Sequence, residues 1–243
     1  MNLLYLRTEI QRTFRVPQFN LFTLAMPLLL YVLFSSIYGT DTVDGTSVAA
    51  WFMVNMSVFG AMGAATSAGG RIAMERAVGW TRQLRLTPLT GRAYLAGKAA
   101  TALVVAIPSL LLLYAAGRLV KGVDLPLATW AEVFGWTLVG LVPFVALGIL
   151  LGHLLTGDSL GAVSGALFTV LALLGGIWFP VDQMPGALAS IARATPSYWL
   201  AQAGRDPLSG HTIGMHGVLV LAGWTAVFGL ATVRRYRRDA ARA

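Results

Sequence analysis

The 243-residue chain contains no cysteine, and charged residues make up only 12% of it. The absence of cysteine excludes disulfide frameworks, thiol catalysis and cysteine-ligated metal sites. The charged share is about half that of an average soluble domain, which leaves too little polar surface to cover a globular fold in water. Hydrophobic residues make up 56% of the chain. These proportions indicate an integral membrane protein.

Catalytic and nucleotide-binding motifs are also missing. A phosphate-binding loop would need the pattern G-x-x-x-x-G-K-[ST], but Gly97-Lys98 is followed by Ala99, and Arg92 stands in place of the first glycine. The three histidines are scattered, and no metal-ligand or Ser/His/Asp spacing occurs. We therefore expect a non-catalytic chain that binds no cofactor or metal itself.

Long apolar windows dominate what is present. Six uncharged stretches approach or reach the ~20 residues that a helix needs to cross a bilayer core of ~30 Å. They cover residues 19–39, 48–70, 99–117, 133–155, 160–179 and 213–233. Backbone polar groups in lipid must be paired within the segment, so the sequence predicts an all-α integral membrane fold with six transmembrane helices. The windows lack Asp, Glu, Lys and Arg, which weighs against ion-coupled secondary transport.

The distribution of Lys and Arg predicts the orientation of the chain. If the N-terminus is cytoplasmic, the cytoplasmic segments carry 14 of the 18 Lys and Arg residues and the external segments carry four. Positive charge concentrates on the cytoplasmic side of membrane proteins. We therefore predict a multi-pass protein of the plasma membrane with both termini in the cytoplasm. The net charge of +8 is explained by anionic lipid, and nucleic acid is not expected as a partner.

Three segments outside the windows have distinct patterns within what looks like a single domain. Residues 1–18 form a predicted amphipathic interfacial helix, because Leu3, Leu6, Ile10 and Phe14 share one stripe. Residues 71–98 form a cytoplasmic insert between spans two and three. Residues 180–212 form an external loop that is predicted to hold short re-entrant or interfacial helices, with its aromatic residues near headgroup level.

The insert 71–98 allows two interpretations. Its basic residues could hold it on anionic lipid, or it could contain a docking helix for a partner protein. Glu75 favours the second interpretation, because an acidic residue weakens attraction to an anionic surface.

Two ordered motifs in this layout resemble the membrane subunits of ABC-2-type exporters, such as drug and antibiotic efflux permeases. The first is Glu75-Arg76-x-x-Gly79-Trp80, then Leu84-Arg85-x-Thr87-Pro88-Leu89, Tyr94 and Lys98. The second is Gly175-Gly176-x-Trp178-Phe179-Pro180 with Met184-Pro185, then Pro196-Ser197-Tyr198-Trp199. The resemblance extends over essentially the whole chain.

The resemblance implies two kinds of partner, a second permease subunit and a separate nucleotide-binding ATPase that carries ATP and Mg²⁺. The insert resembles the coupling helix of the family, and residues 1–18 resemble its connecting helix. On this basis the candidate ATPase-coupling residues are Glu75, Arg76, Gly79, Trp80, Glu9 and Arg12. The candidate external exit region consists of Trp178, Phe179, Pro180, Tyr198 and Trp199.

The implied function is efflux of a hydrophobic or amphipathic compound, as in drug resistance, along a path bordered by spans one, two and five of a homo- or heterodimer. Two other functions stay open. A non-transporting membrane scaffold or assembly factor would have no ATPase partner, and a secondary transporter would carry substrate without ATP.

Small residues and prolines give further expectations about packing. Three pairs at helical spacing suit close helix contact, either within the chain or at a dimer seam on spans one and five. They are Gly60 with Ala64, Gly148 with Gly152, and Gly161 with Gly165. Prolines inside three windows, at positions 27, 108 and 143, are expected to shape or kink spans.

Overall fold

A computed structural model describes residues 21–38, 42–43, 46–79 and 91–241, together with Gln11. Its α-helices are α1 (Met26–Tyr38), α2 (Val48–Thr66), α3 (Ala68–Ala77), α4 (Gly91–Val120), α5 (Leu127–Gly140), α6 (Val142–Leu154), α7 (Gly157–Leu174), α8 (Gly186–Ala194), α9 (Pro196–Arg205) and α10 (Met215–Ala241). A π-helical turn, Leu21–Ala25, precedes α1, and two-residue strands β1 (Thr42–Val43) and β2 (Thr46–Ser47) pair antiparallel before α2. The predicted amphipathic segment 1–18 lies outside the described residues apart from Gln11, as do residues 80–90 of the insert.

Each of the six apolar windows contains helix, but the helices differ in length. Four helical stretches are long and apolar enough to cross a membrane: Val48–Ala77, Ala93–Val120, Leu127–Leu154 and Met215–Arg238. In the first and fifth windows, the apolar helices Thr23–Tyr38 and Ser159–Leu174 are shorter. At 1.5 Å per residue each of these two extends about 24 Å, less than the ~30 Å core of a bilayer. Within the described residues the fold is therefore helical, with four full-length candidate spans.

The second of the predicted spans forms the centre of the bundle. In Val48–Ala77, 89% of the apolar window is buried, because α2 packs against α1, α4, α6 and α9. The hydroxyl of Ser47 accepts a hydrogen bond from the N–H of Ala50 at 3.2 Å and caps the start of α2. Near Ser67, where α2 gives way to α3, the hydroxyls of Thr66 and Ser67 bond back to carbonyls of the preceding turn. Such bonds commonly bend helices.

The three prolines occupy different positions within their helices. Pro27 is the second residue of α1 and directly follows the π-helical turn. Pro143 lies in the first turn of α6, where the fourth span divides into α5 and α6 at Leu141. Pro108 lies inside α4, which continues through it. The missing N–H of proline is accommodated most easily in the first turn of a helix, which explains why two of the three positions coincide with helix starts.

The long helices alternate in direction, so the bundle has two distinct ends. We call the end that contains the last turns of α3, α6 and α10 and the first turns of α4 the basic end. The other end, which we call the opposite end, contains the first turns of α2 and α10 together with the short helices α8 and α9. Segment 180–212, expected to hold short helices, thus contains α8, α9 and two 3₁₀ turns, Val181–Gln183 and Asp206–Ser209.

Candidate functional site

At the basic end, Glu75 forms an ion pair inside the chain. Its carboxylate accepts hydrogen bonds from the Lys98 ammonium at 2.5 Å and from the Tyr94 hydroxyl at 2.8 Å. The Lys98 side chain is fully buried and the Glu75 side chain is 14% exposed. Tyr94 and Lys98 are four residues apart on α4, so both face α3 from one side of their helix. The pair therefore joins the end of α3 to the start of α4.

Arg76, the next residue, binds a different helix. Its guanidinium donates to the carbonyl oxygens of Gly152 at 2.9 Å and His153 at 2.8 Å, in the last turn of α6. Last-turn carbonyls have no partner within their own helix, and the helix dipole places partial negative charge there. The Arg235 side chain on α10 also donates to the His153 carbonyl, at 3.4 Å. The cations of α3 and α10 thus meet at the end of α6.

Aromatic contacts complete this end of the bundle. The Tyr236 ring on α10 lies 6.3 Å from the Tyr94 ring and 5.8 Å from the His153 ring, between ring centroids. A Cβ atom at Gly91 would lie 2.5 Å from Tyr236 Cε1, so the glycine allows α10 to approach α4. We call this set of residues the basic-end network. It consists of Glu75, Arg76, Tyr94, Lys98, His153, Arg235 and Tyr236.

The basic-end network lies directly beside the connection between spans two and three. Helix α3 runs on to Ala77, so Glu75 and Arg76 belong to the end of the second helical stretch, while the sequence pattern suggested that the insert begins at position 71. Gly79 then adopts φ +72, a left-handed conformation that favours glycine and ends the helix. The chain leaves the span at this point and enters residues 80–90. Trp80, like Glu9 and Arg12, lies outside the described residues.

Sequence reasoning did not identify all members of the basic-end network. In the sequence, Tyr94 and Lys98 belong only to a motif. Their four-residue spacing at the start of a helix does predict that both lie on one side of that helix. No local pattern links His153, Arg235 and Tyr236 to Glu75 or Arg76, because the contacts are long-range. The bonds from Arg76 and Arg235 to the His153 carbonyl, for example, span 77 and 82 sequence positions.

The five residues of the predicted exit region do not form one surface at the opposite end. Trp178 faces inward, with its ring 5.9 Å from that of Phe59 on α2. Phe179 is 60% exposed, and Pro180 precedes the 3₁₀ turn Val181–Gln183. Tyr198 and Trp199 pack edge to face in the first turn of α9. The structure thus distributes these residues over the core, the surface and the short helices.

The glycine pair of the second motif has a steric explanation. Gly176 adopts φ +65, and a Cβ atom at Gly175 would lie 3.1 Å from the Cβ atom of Ser197 on α9. The chain can therefore turn sharply after α7 and pass close to α9.

A partly buried arginine, Arg205, joins α9 to this turn. The Arg205 guanidinium donates to the Gly176 carbonyl at 3.1 Å and to the Gln202 side-chain oxygen at 3.0 Å. It also lies 5.7 Å from the centre of the Trp51 ring on α2. Burial lowers the pKa of the Arg205 guanidinium from its ordinary value. Arg205 thus holds the short helices against the central span.

The chain matches a known protein family and a related protein. The family model described as "ABC-2 type transporter" matches residues 3–208. The chain belongs to the ABC-2 type transporter family. It is also 30% identical over 223 residues to "Putative transport permease YvfS" of Bacillus subtilis (strain 168), with 91% of each chain covered. Membership in the ABC-2 family indicates a non-catalytic transport subunit in a membrane that works with an ATPase subunit.

Proposed function

We propose that this chain is the permease subunit of an ATP-powered exporter, forming the path for a hydrophobic or amphipathic substrate and driven by a separate ATPase subunit. The basic end would face the cytoplasm of the cell, with both termini on that side of the plasma membrane. The two short helices α1 and α7 would complete a set of six spans. ATP and Mg²⁺ would be bound by the partner.

The observation that carries this proposal is the position of the basic-end network. Next to Gly79 and Gly91, which flank residues 80–90, charged hydrogen bonds join α3, α4, α6 and α10. A force applied to residues 80–90 would therefore act on four helices together. An ATPase that binds this segment more tightly in one conformation of the bundle than in the other would shift the equilibrium between the two conformations. In this proposal Glu75 and Arg76 act by transmitting the movement, and Trp80, Glu9 and Arg12 by contacting the ATPase.

We expect an ATPase with a phosphate-binding loop to co-purify with the chain from its host membranes in mild detergent. Trp80→Ala should lower the recovered ATPase by at least about tenfold, because a buried interface tryptophan commonly contributes more than ~1.4 kcal/mol. The amount of ATPase per permease, measured by quantitative mass spectrometry, checks this.

Phe179→Ala is the matched control, because Phe179 is an exposed aromatic residue at the opposite end. It should leave ATPase recovery unchanged. Recovery without any ATPase, together with no ATP-dependent flux in liposomes, would favour a membrane scaffold or assembly factor. Substrate flux that needs no ATP would favour a secondary transporter.

One of the three small-residue pairs favours contact with a second permease subunit. A Cβ atom at Gly60 would lie 2.8 Å from the Thr23 carbonyl oxygen, and one at Gly148 would lie 2.7 Å from the Thr66 carbonyl oxygen, so both glycines serve contacts within the chain. Around Gly161 and Gly165, by contrast, no described atom lies within 4 Å of such a Cβ atom. This face of α7 is therefore open for close approach by another helix.

We expect Gly161→Leu with Gly165→Leu to convert dimers into monomers without lowering the stability of the monomer. Leucine side chains would hold a partner helix away from the small-residue face, but they meet no described neighbour within the chain. Subunit counting by single-molecule photobleaching in nanodiscs measures the result.

Gly229→Leu on α10 is the control for that pair, because Gly229 also has open space around it. Dimers that persist in the α7 variant, or that are lost equally in the α10 variant, would place the seam elsewhere.

A further inference from the structure

A groove of about 560 Å³ lies at the opposite end, between α8 and the first half of α10. Its walls differ in chemistry along its length. One part is lined by Ser190, Arg193 and His216, and the other by Val220, Gly223 and Val227. The volume lies within the ~300–1,000 Å³ of typical ligand sites.

The polar part of the groove favours an anion. Arg193 supplies a cation, and His216 lies in the first turn of α10, where the helix dipole places partial positive charge. The last-turn carbonyls of α8 would oppose an anion, but two of them accept hydrogen bonds from indole N–H groups. Trp199 donates to the Arg193 carbonyl at 2.7 Å, and Trp224 donates to the Ala194 carbonyl at 2.9 Å.

Arg193 already has a carboxylate partner, Asp182, at 2.8 Å. The two side chains are 51% and 80% exposed, and exposed pairs of this kind contribute little to stability. The bond to Asp182 uses one terminal nitrogen of the guanidinium, which has five N–H donors in all and also interacts with the Tyr198 side chain. A phosphate can therefore bind beside Asp182 or replace it.

The apolar part of the groove extends along α10 toward the middle of that helix. Val220, Gly223 and Val227 recur at helical spacing along one face of α10, away from its polar first turn. Only 17% of the apolar window of this helix is buried within the chain, the lowest share among the four full-length candidate spans. No described atom lies within 4 Å of a Cβ atom at Gly223, which leaves room for a hydrocarbon chain against the backbone.

We propose that this groove binds one anionic glycerophospholipid, with its phosphate at Arg193 and the first turn of α10 and an acyl chain along Val220, Gly223 and Val227. The groove matches such a lipid in both parts, because Arg193 and His216 suit an anionic headgroup and Val220, Gly223 and Val227 suit a hydrocarbon chain. The site requires only that the chain lies in a bilayer, and neither ATP nor a partner subunit is needed.

The test uses the full chain in nanodiscs of phosphatidylcholine that contain about one tenth phosphatidylglycerol. After transfer to mild detergent, native mass spectrometry counts the lipids retained by each protein. Wild type is expected to retain one phosphatidylglycerol in preference to phosphatidylcholine. Arg193→Gln should reduce that preference by about three- to tenfold, as expected for loss of a charge-assisted hydrogen bond at a partly exposed site. Gly223→Leu should reduce retention of both lipids, because it fills the groove.

Arg118→Gln is the matched control, since Arg118 is a similarly exposed arginine at the same end that pairs with Asp124. It should retain phosphatidylglycerol as wild type does. Equal retention of the two lipids by wild type, or the same loss in Arg118→Gln as in Arg193→Gln, would overturn the proposal. Thermal unfolding of each variant shows whether it is folded, and a folded Gly223→Leu that still retains one phosphatidylglycerol would also overturn it.

Discussion

Replacement of Lys98 by methionine is expected to lower the free energy of unfolding by about 3–5 kcal/mol, because it leaves a largely buried carboxylate without its cation. The Lys98 side chain is fully buried and Glu75 is only 14% exposed, so water cannot take the place of the ammonium without a change in packing. Tyr94 would remain as a single neutral donor. The measurement is unfolding of the purified chain in detergent, by heat or by denaturant.

A second variant separates the charge effect from lost packing. Glu75→Gln combined with Lys98→Met removes both charges and should recover most of the lost stability, since removal of both partners of a buried pair is often nearly neutral. ATP-driven flux should stay low in this double variant if the pair transmits movement between α3 and α4.

Arg118→Met provides the comparison for an exposed pair. Its ion pair with Asp124 is formed by side chains that are 54% and 80% exposed, so its loss should change stability by no more than about 1 kcal/mol. A Lys98→Met protein as stable as wild type would contradict the importance of the buried pair, as would a double variant no more stable than the single one.

Gly152→Leu is expected to produce a second large loss of stability, at or above the upper end of the roughly 1–3 kcal/mol typical of overpacking. A Cβ atom at Gly152 would lie 2.5 Å from the Gly69 carbonyl oxygen and 2.8 Å from the Gly69 Cα atom. Both obstacles are backbone atoms, so α3 and α6 can only move apart. This movement would also separate Arg76 from its acceptors on α6. The yield of monodisperse protein and its unfolding midpoint measure the effect.

Gly229→Leu on α10 again serves as the control. Its position is open, and leucine favours helix over glycine by up to ~1 kcal/mol, so this variant should be as stable as wild type or slightly more stable. Equal stability of the Gly152 and Gly229 variants would show that α3 and α6 are not in backbone contact.

The basic-end network also changes what is expected of Glu75 itself. If Glu75 were an exposed docking residue, Glu75→Lys would affect only the partner contact. Its pairing with buried Lys98 means that Glu75→Lys places two ammonium groups together, so we expect reduced stability as well as lost transport. The role of Arg76 is likewise tied to α6, because its guanidinium already bonds two carbonyl oxygens there.

The sequence predicts where the apolar helices lie better than it predicts how long they are. The six apolar windows each contain helix, as hydropathy predicts. The first and fifth windows, however, yield described helices that are shorter than a bilayer core. Apolar composition shows where a chain can enter lipid, but it does not show where a turn such as the one at Gly175 and Gly176 ends the helix.

Composition and local pattern alone determined the membrane class of this protein, its helical windows, the asymmetry of its basic residues and its two family motifs. Hydropathy, charge and helix signals are properties of neighbouring residues, so they can be summed along the chain. Only the tertiary structure decided that Glu75 pairs with Lys98, that Arg76 binds the end of α6, and that Gly148 packs inside while Gly161 faces out. These outcomes depend on the lateral order of the helices and on the rotation of each about its axis, which are set by packing between residues far apart in sequence.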